Sequence, residues 1–211
     1  MSLILKSMSG QTLLVGREGE NLRELVERAN LLEIDLAAAD LHGAALAGVD
    51  LRGAGLARAN LVGADLQRAQ ISYANLWLAD LAGADLTDAD LHNSDLRGAN
   101  LTAALVFGTD FGEAALIGVN FSETQLIDQN FTNAILTECS FRGCRLRGTN
   151  FSNAWLAGAD FSLADLAGAN FSRVEFDHFI NFEGVKNVTK VAKEHGRHLV
   201  QFAIWVNQKP T

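Results

Sequence analysis

The chain has 211 residues and a net charge of −8, from 25 Asp and Glu against 17 Lys and Arg. That length suits one domain, and the acidic balance argues against a general nucleic-acid binder, because phosphate contact needs a basic surface. No apolar run approaches the roughly 18 residues of a membrane span, the start MSLILKSMSGQ is too short an apolar stretch for a secretory signal, and two cysteines give no sign of an oxidising compartment, so cytoplasm is the expected location.

Residues 1–30 read as an N-terminal cap. LILKSMSGQTLLV (3–15) alternates around Ser9-Gly10 as a β-hairpin does. Asn21 followed by Glu24 forms a capping box that opens a short helix over 21–29. Leu22, Leu25, Val26 and Ala29 share one face of it, suited to covering the first turn of whatever follows.

From Leu31 to Phe176 every fifth residue is large and apolar: twenty Leu, eight Phe, Ile71 and Val106. We call these residues anchors. Two positions before the anchor Ala stands in nineteen of the thirty units, and one position before it Asp or Asn stands in nineteen. A period of five fits neither helix nor strand, so it marks a repeating turn, and such a repeat dictates the architecture. Asp and Asn bond neighbouring backbone amides in turns. Gly, which occupies the second position after the anchor in twelve units, supplies positive φ.

The stretch GADLTDADLHNSDLRGANL (Gly83 to Leu101) shows the unit plainly. It resembles the A(D/N)LXX motif of the pentapeptide-repeat family, over residues 29–176. The resemblance implies an all-β fold, a right-handed quadrilateral parallel β-helix with one pentapeptide per side. Thirty units then make about 7.5 coils over residues 31–180, at the roughly 4.8 Å spacing of stacked strands. From Phe111 the anchors alternate: Phe111, Phe121, Phe131, Phe141, Phe151, Phe161 and Phe171, with Leu between. The first half is nearly all Leu, including Leu76 and Leu96. Phe needs more axial room, so a change in cross-section or turn type is expected near residue 106.

A solenoid needs capped ends. After Phe176 the pattern breaks. Residues 185–195 read as a helix with Val185, Val188, Val191 and Ala192 on one stripe, and HLVQFAIWV (198–206) reads as a strand. The resemblance raises a dimerisation role for this segment, residues 181–211, in which Phe202, Ile204 and Trp205 are the apolar contacts.

No catalytic grouping can be assembled. The five His are scattered; His195, His198 and Glu194 have only weak metal spacing, and no cofactor or metal is expected. Cys139 and Cys144 fall at small inward corners and read as buried, reduced space-fillers. Five of the six Asn-x-Ser/Thr triplets follow from the repeat register, Asn187 being the exception. Gln129, large and polar at an inward corner with Thr109 and Thr149 one coil away, implies a small internal polar ladder. Arg142, Arg145 and Arg147 form a basic spot balanced by Glu123, Asp128 and Asp165.

The outward positions are more informative. Trp77, Leu78, Ile117, Ile135 and Trp155 all fall on the side anchored by Leu76, Leu116, Leu136 and Leu156, interrupted by Arg97. A smaller group, Leu105, Phe107 and Ile127, falls on the opposite side. Scattered exposed apolar residues are merely tolerated, but two Trp and three aliphatic residues along one side are expected to form an interface. The expected function is a non-catalytic protein-binding scaffold. The family resemblance carries an alternative, an acidic dimer that imitates DNA and protects or inhibits DNA gyrase or topoisomerase IV.

Overall fold

The structure is a computed structural model that describes residues 3–174 and 179–187. The chain opens with β1 (Ile4–Lys6) and β2 (Thr12–Val15), antiparallel, with Leu5 opposite Leu14 and a register shift after Leu5. Gly10, at φ 84°, lets the chain reverse between them. Helix α1 (Leu22–Leu31) follows; the Asn21 side chain accepts the amide of Glu24 and the Glu24 carboxylate accepts the amide of Asn21. Leu25, Val26 and Ala29 are fully buried under it. A two-pronged ion pair, Arg28 Nε and Nη2 to Glu20 at 2.7 and 2.8 Å, fixes the helix to the preceding loop, and Arg28 also donates to the carbonyl of Val15 in β2.

α1 runs two residues beyond the expected 21–29 and takes in Leu31. Leu31 is therefore not an inward anchor: it is 83 % exposed at the end of the helix, and the first anchor in the core is Leu36. Capping continues past the helix. Ser7, after β1, bridges antiparallel to Ala39, and the amide of Asp40 donates to the carbonyl of Lys6, so the hairpin adds a rung to the first coil.

Beyond that, parallel bridges recur every twenty residues, from Asp40 with Asn60 and Ala45 with Asp65 onward, one per side of a four-sided coil. Each side is one pentapeptide. The anchor carbonyl accepts the amide three residues on, as in Ala44 to Leu41 at 3.1 Å, and the second residue after the anchor has positive φ at every unit from Ala38 to Arg173. That is the φ signature of a type II turn. The residue before the anchor caps the turn: Asp40, Asp80, Asn100 and Asp160 each accept, through Oδ1, the amide two residues on. Anchors from Leu36 to Phe171 are buried, as are nearly all the small corner residues, so the core is one column of stacked apolar rungs.

The Phe half carries two ring columns. Phe111, Phe131, Phe151 and Phe171 stack on one side, Phe121, Phe141, Phe161 and Phe182 on the opposite side, and rings of the two columns meet edge to face across the axis at 5.4–6.1 Å. The expected change of turn type near residue 106 does not occur, since positive φ persists on both sides of it. What changes is the ladder between coils. Among the described residues, the amides of Val106, Phe111 and Leu116 make no close backbone bond to the next coil; Leu105 stays bridged to Gln125 and Ala115 to Ile135, but no bridge joins Asp110 to Asn130. The first ring pair, Phe111 with Phe131, is also the widest stack, at 6.1 Å against 4.9 Å for Phe151 with Phe171. Here the Leu column meets the Phe column, and the coils part slightly.

At the far end the solenoid outlasts the sequence pattern. Asp160 bridges Asn181 and Asp165 bridges Lys186, a spacing of one residue more than before, and Phe182 is buried as the next anchor. Between Phe171 and Phe182 the phase thus shifts by one residue, and the coil continues past residue 180. Val185 and Lys186 belong to it, with Val185 donating to Phe182, and not to the helix expected over 185–195. The remainder of that helix and the strand over 198–206 lie outside the described residues.

Candidate functional site

The wall is built by exchanging the turn cap on one side of the coil. On the side of Leu76, Leu96, Leu116, Leu136 and Leu156, the position before the anchor runs Asn75, Asp95, Ala115, Ile135, Trp155. These residues are stacked partners, each bridged to the next. Asn75 and Asp95 still cap their turns, accepting the amides of Trp77 and Arg97 at 3.1 Å. Ala115, Ile135 and Trp155 have no side-chain acceptor, and place apolar groups on the surface instead. Ile135 is 46 % and Trp155 70 % exposed.

The N-terminal half of the wall comes from positions after the anchor. Trp77 and Leu78 are each about two-fifths exposed. The Arg58 guanidinium lies 4.8 Å over the Trp77 ring and covers one of its faces. Leu78 lies across Gly98 in the next coil, where a Cβ would meet its Cδ2 at 2.6 Å. Ile117 is exposed to the same degree as Trp77. Arg97 interrupts the wall less than its charge implies, because it folds back on Asp95 through two bonds of 2.8 and 2.6 Å. That guanidinium holds the Asp95 carboxyl below the usual carboxylate range. All five wall residues are therefore exposed on one side, and Phe202, Ile204 and Trp205 lie outside the described residues.

On the opposite side Leu105, Phe107 and Ile127 are exposed, beside the step where the coils part. Sequence reasoning missed a notch of about 970 Å³ between the end of α1 and the first coils, lined by Glu27, Leu31, Asp35, Arg52 and Tyr73 among others. It arises from the helix running on through Leu31, which the five-residue pattern obscures. The one local sign is Gly55, where Asp or Asn is usual: a Cβ there would meet the Asp35 carboxylate at 3.0 Å.

The inward polar residues bond to backbone carbonyls of earlier coils and not to one another's side chains. Each of Thr109, Thr124 and Thr149 donates instead to an anchor carbonyl of an earlier coil, as do Cys139 to Leu116 and Cys144 to Phe121. Gln129 donates to the backbone of Thr109. Burial pushes both thiols up to about 12, so they are unreactive packing groups. The basic spot is not ion-paired either: among the described residues Arg142, Arg145 and Arg147 have no carboxylate within 4.0 Å, and Arg142 donates to the Ser162 hydroxyl. His92 meets the edge of Tyr73 at 6.3 Å. Among the described residues no group of three or more His, Cys, Asp or Glu could hold a metal ion, and no helix is long and apolar enough to cross a membrane.

Family models recognise the repeat. The family model for pentapeptide repeats matches residues 29–68 and 64–102, and that for a pentapeptide repeat region matches 114–188. No curated protein matches the chain. Among solved structures, full-length QnrB1, a plasmid-mediated fluoroquinolone resistance protein, is 19 % identical over 80 % of this chain and 85 % of its own, with a TM-score of 0.29. HetL, a pentapeptide repeat protein involved in heterocyst differentiation regulation in the cyanobacterium Nostoc sp. strain PCC 7120, is 24 % identical over 77 % and 93 %, with a TM-score of 0.32. A pentapeptide repeat protein of the Arabidopsis thaliana thylakoid lumen is 21 % identical over 65 % and 72 %, with a TM-score of 0.16.

Proposed function

The chain belongs to the pentapeptide-repeat family, and from that premise we propose that it is a non-catalytic protein-binding scaffold whose working surface is the side bearing Trp77, Leu78, Ile117, Ile135 and Trp155. The observation that carries this reading is the stacked series Ala115, Ile135, Trp155. At that position Asp or Asn satisfies a turn amide, a bond worth about 1 kcal/mol net. Three consecutive coils give it up on this side and expose aliphatic and aromatic groups. A local rule broken repeatedly, with no gain inside the fold, is the mark of a surface kept for something else. The inward positions, meanwhile, are consumed by packing.

The test compares proteins captured by the intact chain with those captured by a Trp77→Ser/Trp155→Ser variant. The reading expects a specific protein to be lost; an unchanged capture profile would remove it.

A second reading, a DNA-mimicking protector or inhibitor of DNA gyrase or topoisomerase IV, is supported by the net charge of −8 and by turn-capping carboxylates stacked along the coils, as at Asp65 and Asp85. An apolar wall does not imitate phosphates. A supercoiling assay at micromolar protein separates the readings, inhibition favouring the second and no effect the first.

A further inference from the structure

The two ends of the wall carry different groups that complement one another, and we infer that its occupant is a second copy of this chain, laid antiparallel across the Leu116 rung. This rests on the scaffold reading above and names its partner. A two-fold axis through that rung, parallel to its strand, reverses the order of the rungs but keeps the direction of each. The Leu76 rung then meets the Leu156 rung of the second copy, and position faces like position.

Under that operation large groups meet small ones. Trp77 faces Ala157 of the second copy, and Leu78 meets the aliphatic stem of Glu138 of the second copy, which lies over Gly158. Trp155 faces Asn75 of the second copy. At the axis Ala115, Ile117 and Gly118 meet their own copies, leaving room for the two Ile side chains. Charge matches as well. The Leu96 rung meets the Leu136 rung, which sets Asp95 opposite Ile135 of the second copy and brings Arg97, already bonded to Asp95, beside Glu138 of the second copy, twice per dimer by symmetry. Both residues are exposed. Glu138 extends over Gly158, toward the edge of the wall, where a Cβ would meet its Cγ at 3.5 Å. A foreign partner would not require this side to be complementary to its own reversal. The contact also lies beside the parted step, where the Leu116 amide makes no close backbone bond although Ala115 stays bridged to Ile135.

Four rung spacings of roughly 4.8 Å give a contact only about 20 Å long, which places the dimer at the small, reversible end of interfaces. Sedimentation equilibrium of the full chain over micromolar concentrations tests it. The wild type is expected to approach twice 22.7 kDa, and Trp77→Ser/Trp155→Ser to stay monomeric with an unchanged circular dichroism spectrum. Arg97→Glu sets like charges opposite at two places and is expected to weaken dimerisation about tenfold or more. Glu138→Arg alone does the same, and the two together restore it. A wild type that stays monomeric overturns the inference, as does a dimer that survives loss of both Trp or charge variants that do not rescue each other. A monomer whose captured protein is lost with Trp77 and Trp155 overturns self-association and leaves the scaffold reading standing; Trp substitutions that alter neither remove both.

Discussion

Gln129 Nε2 donates to the backbone carbonyl of Thr109 at 2.8 Å, taking an acceptor that elsewhere in the coil receives a ladder amide. In the intact part of the ladder the equivalent bond is that of Asn150 to the carbonyl of Gln129, at 2.9 Å. A long polar side chain at a corner built for Ala thus substitutes for a backbone bond and wedges the coils where Leu rungs give way to Phe. No such wedge exists elsewhere among the described residues.

The parted step should be the first part of the coil to open. Amides of Val106, Phe111 and Asn130 are expected to exchange with solvent at least about tenfold faster than those of Leu86 and Asn150, as expected of locally weak regions. Gln129→Val returns the Thr109 carbonyl to the ladder and should slow the Asn130 amide. Uniform protection along the coil would contradict the assignment.

Phe141 stacks on Phe121 at 5.3 Å and Phe161 at 4.8 Å and is fully buried. Phe141→Ala should cost about 3–5 kcal/mol in chemical denaturation. Phe107, 73 % exposed, should lose no more than about 0.5 kcal/mol on the same substitution. Equal costs would show that exposure does not separate core from surface Phe.

Stability of the N-terminal cap should depend on acid through Glu20. Hydrogen bonding to Arg28 above all, helped by the Arg17 amide, lowers its carboxyl from 4.5 to about 2. A depressed folded-state value means that the contribution is complete above the ordinary 4.5 and is lost as pH falls through 4.5 toward 2. Limited proteolysis near Gly16–Glu20 should accelerate across that window in the wild type, whereas Glu20→Gln should be cleaved readily at neutral pH as well. A wild type whose cleavage rate is flat from pH 5 to about 2.5 would deny the ion pair a role.

Cys139 and Cys144, with values near 12 and no exposure, should resist aromatic disulfide reagents in the native protein at pH 8 and react fully in denaturant. Rapid native labelling of either would mean that the corner it fills is open.

Much of this was legible in the chain. Leu36 to Phe171 could be placed in the core because each is followed by another anchor in strict phase, and a period of five admits few geometries. The hairpin around Gly10 and the cap at Asn21 were visible because turn and capping chemistry is local. Leu31 was misplaced because it keeps the beat by coincidence while helix hydrogen bonding overrides it. Phe182 escaped notice because a single inserted residue moves an anchor out of phase without ending the coil. The fate of Gln129 could not be read from spacing, since the acceptor it takes is a backbone atom that the repeat leaves silent. Of the wall, the placement of Ile135 and Trp155 on one side followed from the twenty-residue coil; the loss of the turn cap from Ala115 onward went unread, and the folding back of Arg97 onto Asp95 and the cover of Arg58 over Trp77 are side-chain choices that spacing does not encode.

The central claim is that the side bearing Ile117 is an interface. The most direct measurement is site-specific photo-crosslinking in cells, with a photoreactive residue at Ile117 and a control at Asn153 on another side. The account predicts a discrete protein adduct from position 117, of the dimer's mass if the occupant is a second copy, and none from position 153. No adduct from position 117, or indistinguishable adducts from both, would contradict it.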